Sequence, residues 1–147
     1  CPFTFEANVN VHMDDVGIPF TMCHELSHLS GYMREDEANF IAFLACIRSD
    51  DADFRYSGAF LAMVNASNAL YSADYALWEQ AAALRSDAVN RDIASNNAYW
   101  ARYDTPVAEV SNQVNDAYLK ANGQENGVRS YGRMVDLLLA YYREGEA

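Results

Sequence analysis

Residues 19–46 read PFTMCHELSHLSGYMREDEANFIAFLAC, and this stretch predicts two consecutive helices. Pro19 can occupy the first turn of a helix, and no helix-breaking residue lies between Phe20 and Leu29. Gly31 follows where a helix C-cap is expected. Beyond it, apolar residues recur at spacings of three and four, which is typical of an amphipathic second helix.

The first predicted helix carries His24-Glu25-Leu26-Ser27-His28, which matches the HExxH motif of zinc peptidases. Residues four apart share one face of a helix, so His24 and His28 can direct imidazole nitrogens at one metal ion. Glu25 lies about 100° further round the helix, where a general base can border the metal without ligating it. We therefore predict zinc as the cofactor and Glu25 as a catalytic base. The non-functional alternative is an amphipathic helix with two partly exposed histidines and a solvated glutamate.

The metzincin pattern HExxHxxGxxH does not continue in this chain. Gly31 matches the glycine of that pattern, but Arg34 stands where the final histidine should be. A guanidinium cannot ligate zinc, so the third ligand has to come from elsewhere.

The sequence EDEAN that follows resembles the gluzincin arrangement, in which a glutamate on the next helix is the third ligand. In that arrangement a residue four positions later supports a ligand histidine. Glu35 and Asn39 have this spacing, whereas Ile41, four positions after Glu37, can support nothing. We predict Glu35 as the ligand and Asn39 as a hydrogen-bond partner of His24, with Glu37 as the alternative ligand. Acidic residues are also favoured at the start of any helix, whatever its function.

The chain of 147 residues is 51% hydrophobic and is expected to form a single domain with its own core, residues 1–147. Its formal charge of −11 and pI near 4.4 argue against a nucleic-acid or anionic-lipid partner, because the electrostatic term would be repulsive. Three cysteines are too few for a disulfide framework, and Cys23 and Cys46 are expected to pack inward. The apolar runs are too short to cross a bilayer, so this fragment is expected to be soluble.

The predicted fold class is mainly α (α+β), a helical domain with a short N-terminal β element. Phe3 to Val11 alternate between apolar and polar residues, which indicates a strand. This strand could align an extended substrate or could serve only as a structural ribbon. Further helices are predicted at Asp51 to Tyr71, Ala73 to Tyr103, Val107 to Lys120 and Ser130 to Glu144.

A zinc peptidase needs a donor for the negative charge that develops on the attacked carbonyl oxygen. Tyr131 is the first candidate for this catalytic role and Arg133 the second, because both lie near the turn into the last helix. In the non-functional alternative, Ser130 caps this helix, Tyr131 packs and Arg133 is solvated.

Residues 19–46, together with SYGRMVDLLLAYYR at Ser130 to Arg143, resemble a bacterial family inferred to be membrane-anchored zinc peptidases and classed as a domain of unknown function. Shorter segments agree with the same family: EANVN at Glu6 to Asn10, SDDADFRYSG at Ser49 to Gly58 and VNDAYLKANGQ at Val114 to Gln124. The resemblance implies a zincin-like fold of gluzincin type. It also implies a peptide or protein substrate and, in the longer native protein, transmembrane segments ahead of this chain.

Two other functions remain open at the level of the sequence. Zinc could tie the helices together in a non-catalytic sensor or assembly module of a membrane complex. Alternatively, the chain could be a metal-free helical interaction domain. A fourth protein ligand would favour the zinc-binding module, whereas an open cleft at the metal would favour hydrolysis. The substrate and the oligomeric state do not follow from the sequence.

Overall fold

The computed structural model describes residues 6–103 and 131–145, with the side chains of Tyr131 and Gly132 left out. A turn of 3₁₀ helix at Asp15–Gly17 precedes α1 (Ile18–Leu29), α2 (Glu35–Ile47), α3 (Ala52–Ala73), α4 (Tyr75–Ala83), α5 (Asp87–Ala101) and α6 (Tyr131–Gly145). The predicted mainly α class is therefore confirmed. The helix predicted at Val107 to Lys120 lies outside the described residues.

The predicted N-terminal β element is not found in the part of the chain that the structure describes. Residues 6–10 belong to neither helix nor strand, and a turn follows. The Asn10 carbonyl accepts the Met13 N–H at 3.4 Å, and the Asn10 side chain accepts the His12 N–H at 3.0 Å. These local bonds use groups that a strand would pair with a neighbour, so the alternation of residues does not produce a sheet here.

Helices α1 and α2 form an antiparallel hairpin that carries the motif. The short connection of residues 30–34 brings the end of α1 close to the start of α2, and at the other end the Cys46 thiol lies 3.9 Å from the Pro19 carbonyl oxygen. Ser57 of α3 ties the hairpin down: its hydroxyl accepts the Phe20 N–H at 3.0 Å and donates to the Val16 carbonyl at 2.6 Å. This satisfies an amide that the first turn of α1 leaves without a helical partner.

The core lies where α2, α3 and α6 meet. Its buried members are Phe20, Ala42, Phe43, Cys46, Ala62, Met134 and Leu138. Gly58 allows α3 to approach α2 closely, because a Cβ at this position would lie 2.5 Å from the Cβ of Cys46. Cys46 is fully buried and Cys23 packs partly buried against the core, as predicted. Burial beside Cys23 raises the pKa of the Cys46 thiol to about 12.

The helical segment predicted from Ala73 to Tyr103 divides into two helices. Asp74 has extended backbone angles, and its carboxylate accepts the Leu77 N–H at 2.9 Å, which starts α4. Ser86 caps α5 in the same way. Aspartate and serine favour helix N-caps, so these two positions carried a signal that apolar periodicity alone misses.

None of the helices within residues 6–103 and 131–145 combines the length and apolar character that spanning a membrane requires.

Candidate metal centre

Three side chains predicted as metal ligands converge between α1 and α2. The Nε2 atoms of His24 and His28 lie 3.0 Å apart. The carboxylate of Glu35 lies 3.3 Å from His24 Nε2 and 3.5 Å from His28 Nε2. All three residues are partly buried, and they form a group that could hold a metal ion.

The spacing of these donor atoms fits one zinc ion. Zinc ligands bind at about 2.0–2.1 Å in tetrahedral geometry, which places neighbouring ligand atoms about 3.3 Å apart. The three separations of 3.0, 3.3 and 3.5 Å bracket this value. Two histidines and one glutamate are also the protein ligands of known catalytic zinc sites. The residues present therefore fit zinc in both spacing and chemistry.

The turn after α1 orients His28. Gly31 has a φ of 100°, in the left-handed region that favours glycine, and the Tyr32 N–H donates to the Ser27 carbonyl at 3.2 Å. This turn places the Tyr32 carbonyl 2.7 Å from His28 Nδ1. A carbonyl can only accept, so Nδ1 carries the proton and the Nε2 lone pair is left for a metal. The predicted C-cap glycine thus helps to set the ligand geometry.

The predicted hydrogen bond between Asn39 and His24 is wrong. His24 Nδ1 is buried and has no hydrogen-bond partner among the residues that the structure describes. Asn39 is buried as well and lines the same cleft, but it does not reach this nitrogen. The spacing argument correctly brought Asn39 to the site, but side-chain orientation decides whether a hydrogen bond forms, and sequence spacing does not determine it.

Glu35, and not Glu37, is the carboxylate beside the histidines. The hydrogen bond with His24 lowers the pKa of the Glu35 carboxyl and outweighs burial, which raises it. Glu37 is 47% exposed, and its carboxylate lies 3.5 Å from the Arg34 guanidinium. Of these two glutamates at the start of α2, Glu35 therefore lies beside the histidines and Glu37 lies on the surface.

An ion pair between Arg34 and Asp36 stabilises the start of α2, where Glu35 lies. The Arg34 guanidinium donates twice to the Asp36 carboxylate, at 3.2 Å and 2.9 Å. Asp36 is almost fully buried, and burial raises the pKa of its carboxyl. The hydrogen bond and charge of Arg34, together with hydrogen bonds from the backbone, outweigh burial and lower this pKa. The residue at the metzincin histidine position therefore has a structural partner of its own.

Replacing Asp36 with asparagine is expected to lower the free energy of unfolding by about 1–3 kcal/mol, because it removes charged hydrogen bonds from a buried group. The pKa of the Asp36 carboxyl in the folded protein lies below its value of about 3.9 in the unfolded chain. The ionised carboxylate therefore contributes its full share of the free energy of unfolding above about pH 3.9, and this share is lost as the pH falls through the folded pKa. Urea unfolding of wild type and Asp36→Asn at pH 7 and pH 3 measures the difference in their free energies of unfolding at each pH. An equal difference between variant and wild type at both pH values would contradict the assignment.

A cleft of about 440 Å³, which we call the metal cleft, is lined by two of the three donors, His24 and Glu35. Glu25 lines it next to His24, and its role as a base stays a prediction. Side chains that sequence reasoning did not single out for this site form much of the remaining wall: Asn8, Asn10, Asn65, Asn96 and Tyr99. Asn8 and Asn10 belong to the segment predicted as a strand, either substrate-aligning or only a structural ribbon, and this segment borders the cleft without forming a strand at residues 6–10. An asparagine in a helical pattern resembles a surface residue, and only packing shows that it faces a cavity.

Tyr99 presents a hydroxyl to this cleft. The Asn10 amide donates to it at 3.1 Å. A hydrogen bond with Tyr103, together with desolvation, raises the pKa of Tyr99, so the phenol stays protonated at neutral pH. Within the described residues, Tyr99 is therefore a protonated phenol in the wall of the cleft, a position that the sequence did not reveal.

Of the two predicted oxyanion donors, the structure describes the side chain of Arg133 alone. Tyr131 begins α6, but its side chain lies outside the described residues. Arg133 is exposed on α6 and does not line the cleft. The role assigned to Tyr131 stays a prediction.

The fold and the site together define a helical protein in which a motif helix and a glutamate helix bring together three side chains that could hold a metal ion. The chain belongs to the family described as "Protein of unknown function (DUF3810)", whose profile matches residues 1–139. Comparison with curated proteins and with solved structures gave no significant match.

Proposed function

We propose that this protein is a zinc-dependent peptidase whose metal is held by His24, His28 and Glu35. The observation that carries the proposal is the triangle of donor atoms at 3.0, 3.3 and 3.5 Å on an HExxH helix and its partner helix. Zinc bound there would supply a Lewis acid that acidifies water and polarises the carbonyl to be attacked.

Glu25 is the proposed general base. It follows the first ligand by one residue and lines the cleft, yet it is not part of the group of three donors. Its carboxylate is therefore free to take a proton from the attacking water and to pass it to the leaving amine. The His28 ring keeps its proton on Nδ1 throughout, because the Tyr32 carbonyl accepts it.

The cleft offers the groups that an extended peptide requires. The asparagine side chains on its wall carry both amide donors and carbonyl acceptors, which can pair with the N–H and C=O groups of a substrate backbone. Phe20, Leu61 and Trp100 supply apolar surface for side chains. This combination of apolar lining and a few polar groups is typical of a ligand site, and it supports a peptide as the substrate class.

The number of donors supports hydrolysis over a purely structural role for zinc. Within the described residues the metal-binding group has three members, and a cleft adjoins it. Structural zinc sites use four protein ligands, whereas catalytic sites use three and leave one position for water. We therefore place the non-catalytic sensor or assembly module second.

The test is the zinc content of the purified protein, followed by hydrolysis of a library of internally quenched fluorescent peptides. We expect about one zinc ion per chain. Cleavage should stop when zinc is removed by a chelator and return when zinc is added back. His12, an exposed histidine outside the group, provides the control variant: His12→Ala should behave as wild type. A protein that takes up no zinc would refute the proposal.

A further inference from the structure

A second cavity of about 410 Å³ lies among α3, α4 and α5, beside the metal cleft. Both cavities are lined by Leu61, Asn65, Asn96 and Trp100, so they share a wall. A ligand in the metal cleft would therefore lie next to the second cavity.

Among the described residues that line either cavity, Arg85 is the single arginine or lysine, and two neighbours orient it. Its guanidinium donates to the Ser67 hydroxyl at 2.6 Å and lies 5.7 Å from the centre of the Trp78 ring. The Trp78 indole N–H donates to the same hydroxyl at 2.8 Å. Tyr71 packs edge-on against Trp78 at 5.0 Å. The Arg85 guanidinium is thus held in place by Ser67 and by the aromatic side chains that line the cavity.

The charge on Arg85 is not matched by a carboxylate. The chain has 21 acidic and 10 basic residues, so acidic partners are plentiful. Within the described residues, however, the ion pairs formed by arginine all belong to Arg34, and Arg85 takes part in none. One hydrogen bond to Ser67 also leaves most of its five N–H donors available. A partly buried guanidinium held in place without an anion is suited to bind a carboxylate from outside.

We propose that the second cavity is a specificity subsite that takes a carboxylate of the peptide substrate through Arg85. This inference rests on the proposed peptidase function, since the metal cleft has to hold the rest of the peptide. The carboxylate can belong to an aspartate or glutamate side chain or to the C-terminus, and both present the same planar pair of oxygens to the guanidinium. The aromatic wall and the asparagine amides would contact the remainder of that residue.

Intrinsic tryptophan fluorescence can test this directly. The chain has two tryptophans, Trp78 and Trp100, and both line the cavity. An acetylated and amidated peptide with one glutamate should change the emission on titration, and its glutamine counterpart should bind about tenfold more weakly. A third peptide, with glutamine inside and a free C-terminal carboxylate, distinguishes the two sources. The titrations use Glu25→Gln protein loaded with zinc and wild-type protein dialysed free of metal.

Arg85→Gln should remove the preference for glutamate, and Arg85→Lys should keep only part of it, because an ammonium lacks the guanidinium fork. Arg91→Gln is the matched control: it makes the same change of charge at an exposed position of α5 that does not line the cavity. If Arg85→Gln fails to fold by circular dichroism, the comparison of peptides on wild-type protein still decides.

Equal affinity for all three peptides, or an unchanged preference for the carboxylate-bearing peptide in folded Arg85→Gln, would overturn the subsite. The titration of metal-free wild-type protein requires neither zinc nor turnover. Failure to bind zinc would therefore refute the proposed function alone, and failure to distinguish the peptides would refute the subsite alone.

Discussion

Glu25→Gln is expected to keep zinc at the wild-type level and to lower the rate of hydrolysis by about 10²- to 10⁴-fold. The reason is that Glu25 lines the cleft without belonging to the three-donor group. Glutamine preserves its size but cannot accept a proton from water. Elemental analysis gives the zinc content, and cleavage of the best peptide from the library gives kcat and KM.

Glu37→Gln provides the control for this result. It makes the same change in the first turn of α2, at an exposed side chain that is not part of the three-donor group. Its hydrolysis rate should equal that of wild type. A Glu25→Gln protein that cleaves at the wild-type rate would remove Glu25 as the base. A Glu25→Gln protein that loses zinc would show that Glu25 is a ligand.

Glu35→Ala is expected to weaken zinc binding by more than about 100-fold. Removing a group that only supports a metal ligand commonly costs about 10- to 100-fold in affinity, and removing a ligand should cost more. The carboxylate of Glu35 is the donor that lies 3.3 and 3.5 Å from the two histidines. Competition with a zinc-binding dye measures the dissociation constant.

Glu37→Ala is the matched variant, because it removes a carboxylate from the same helical turn. It should bind zinc as wild type does, since its nearest charged neighbour is Arg34. Circular dichroism of both variants tests whether α2 remains intact. Loss of zinc in Glu37→Ala, with retention in Glu35→Ala, would show that the metal is held in an arrangement other than the one described here.

Much of the motif region could be predicted because its signals are local. A proline in the first turn, a glycine after the last turn and apolar residues at helical spacing predicted α1, and the structure has this helix at Ile18–Leu29. The last helix was predicted from its periodicity in the same way. The division between α4 and α5 was missed because periodicity continues across a capped break.

Two predictions were wrong because they depended on contacts and not on local signals: the N-terminal β element, at residues 6–10, and the hydrogen bond from Asn39 to His24. Alternation predicts a strand only if a partner strand is present, and residues 6–10 instead border the metal cleft with their polar side chains. Asn39 has the expected spacing, but no hydrogen bond to His24 forms. Both predictions concerned contacts between distant parts of the chain, which a local pattern does not determine.

The sequence by itself determined that His24 and His28 share one helix face, because four residues make about one helical turn. It also limited the candidates for the third metal ligand to the glutamates at the start of the next helix. Only the tertiary structure decided that Glu35 meets the histidines, because the turn at Gly31 and the Arg34–Asp36 pair set how α2 begins against α1. The cleft walls and the Arg85 cavity likewise arise from the packing of separate helices, whose relative placement depends on contacts far apart in sequence.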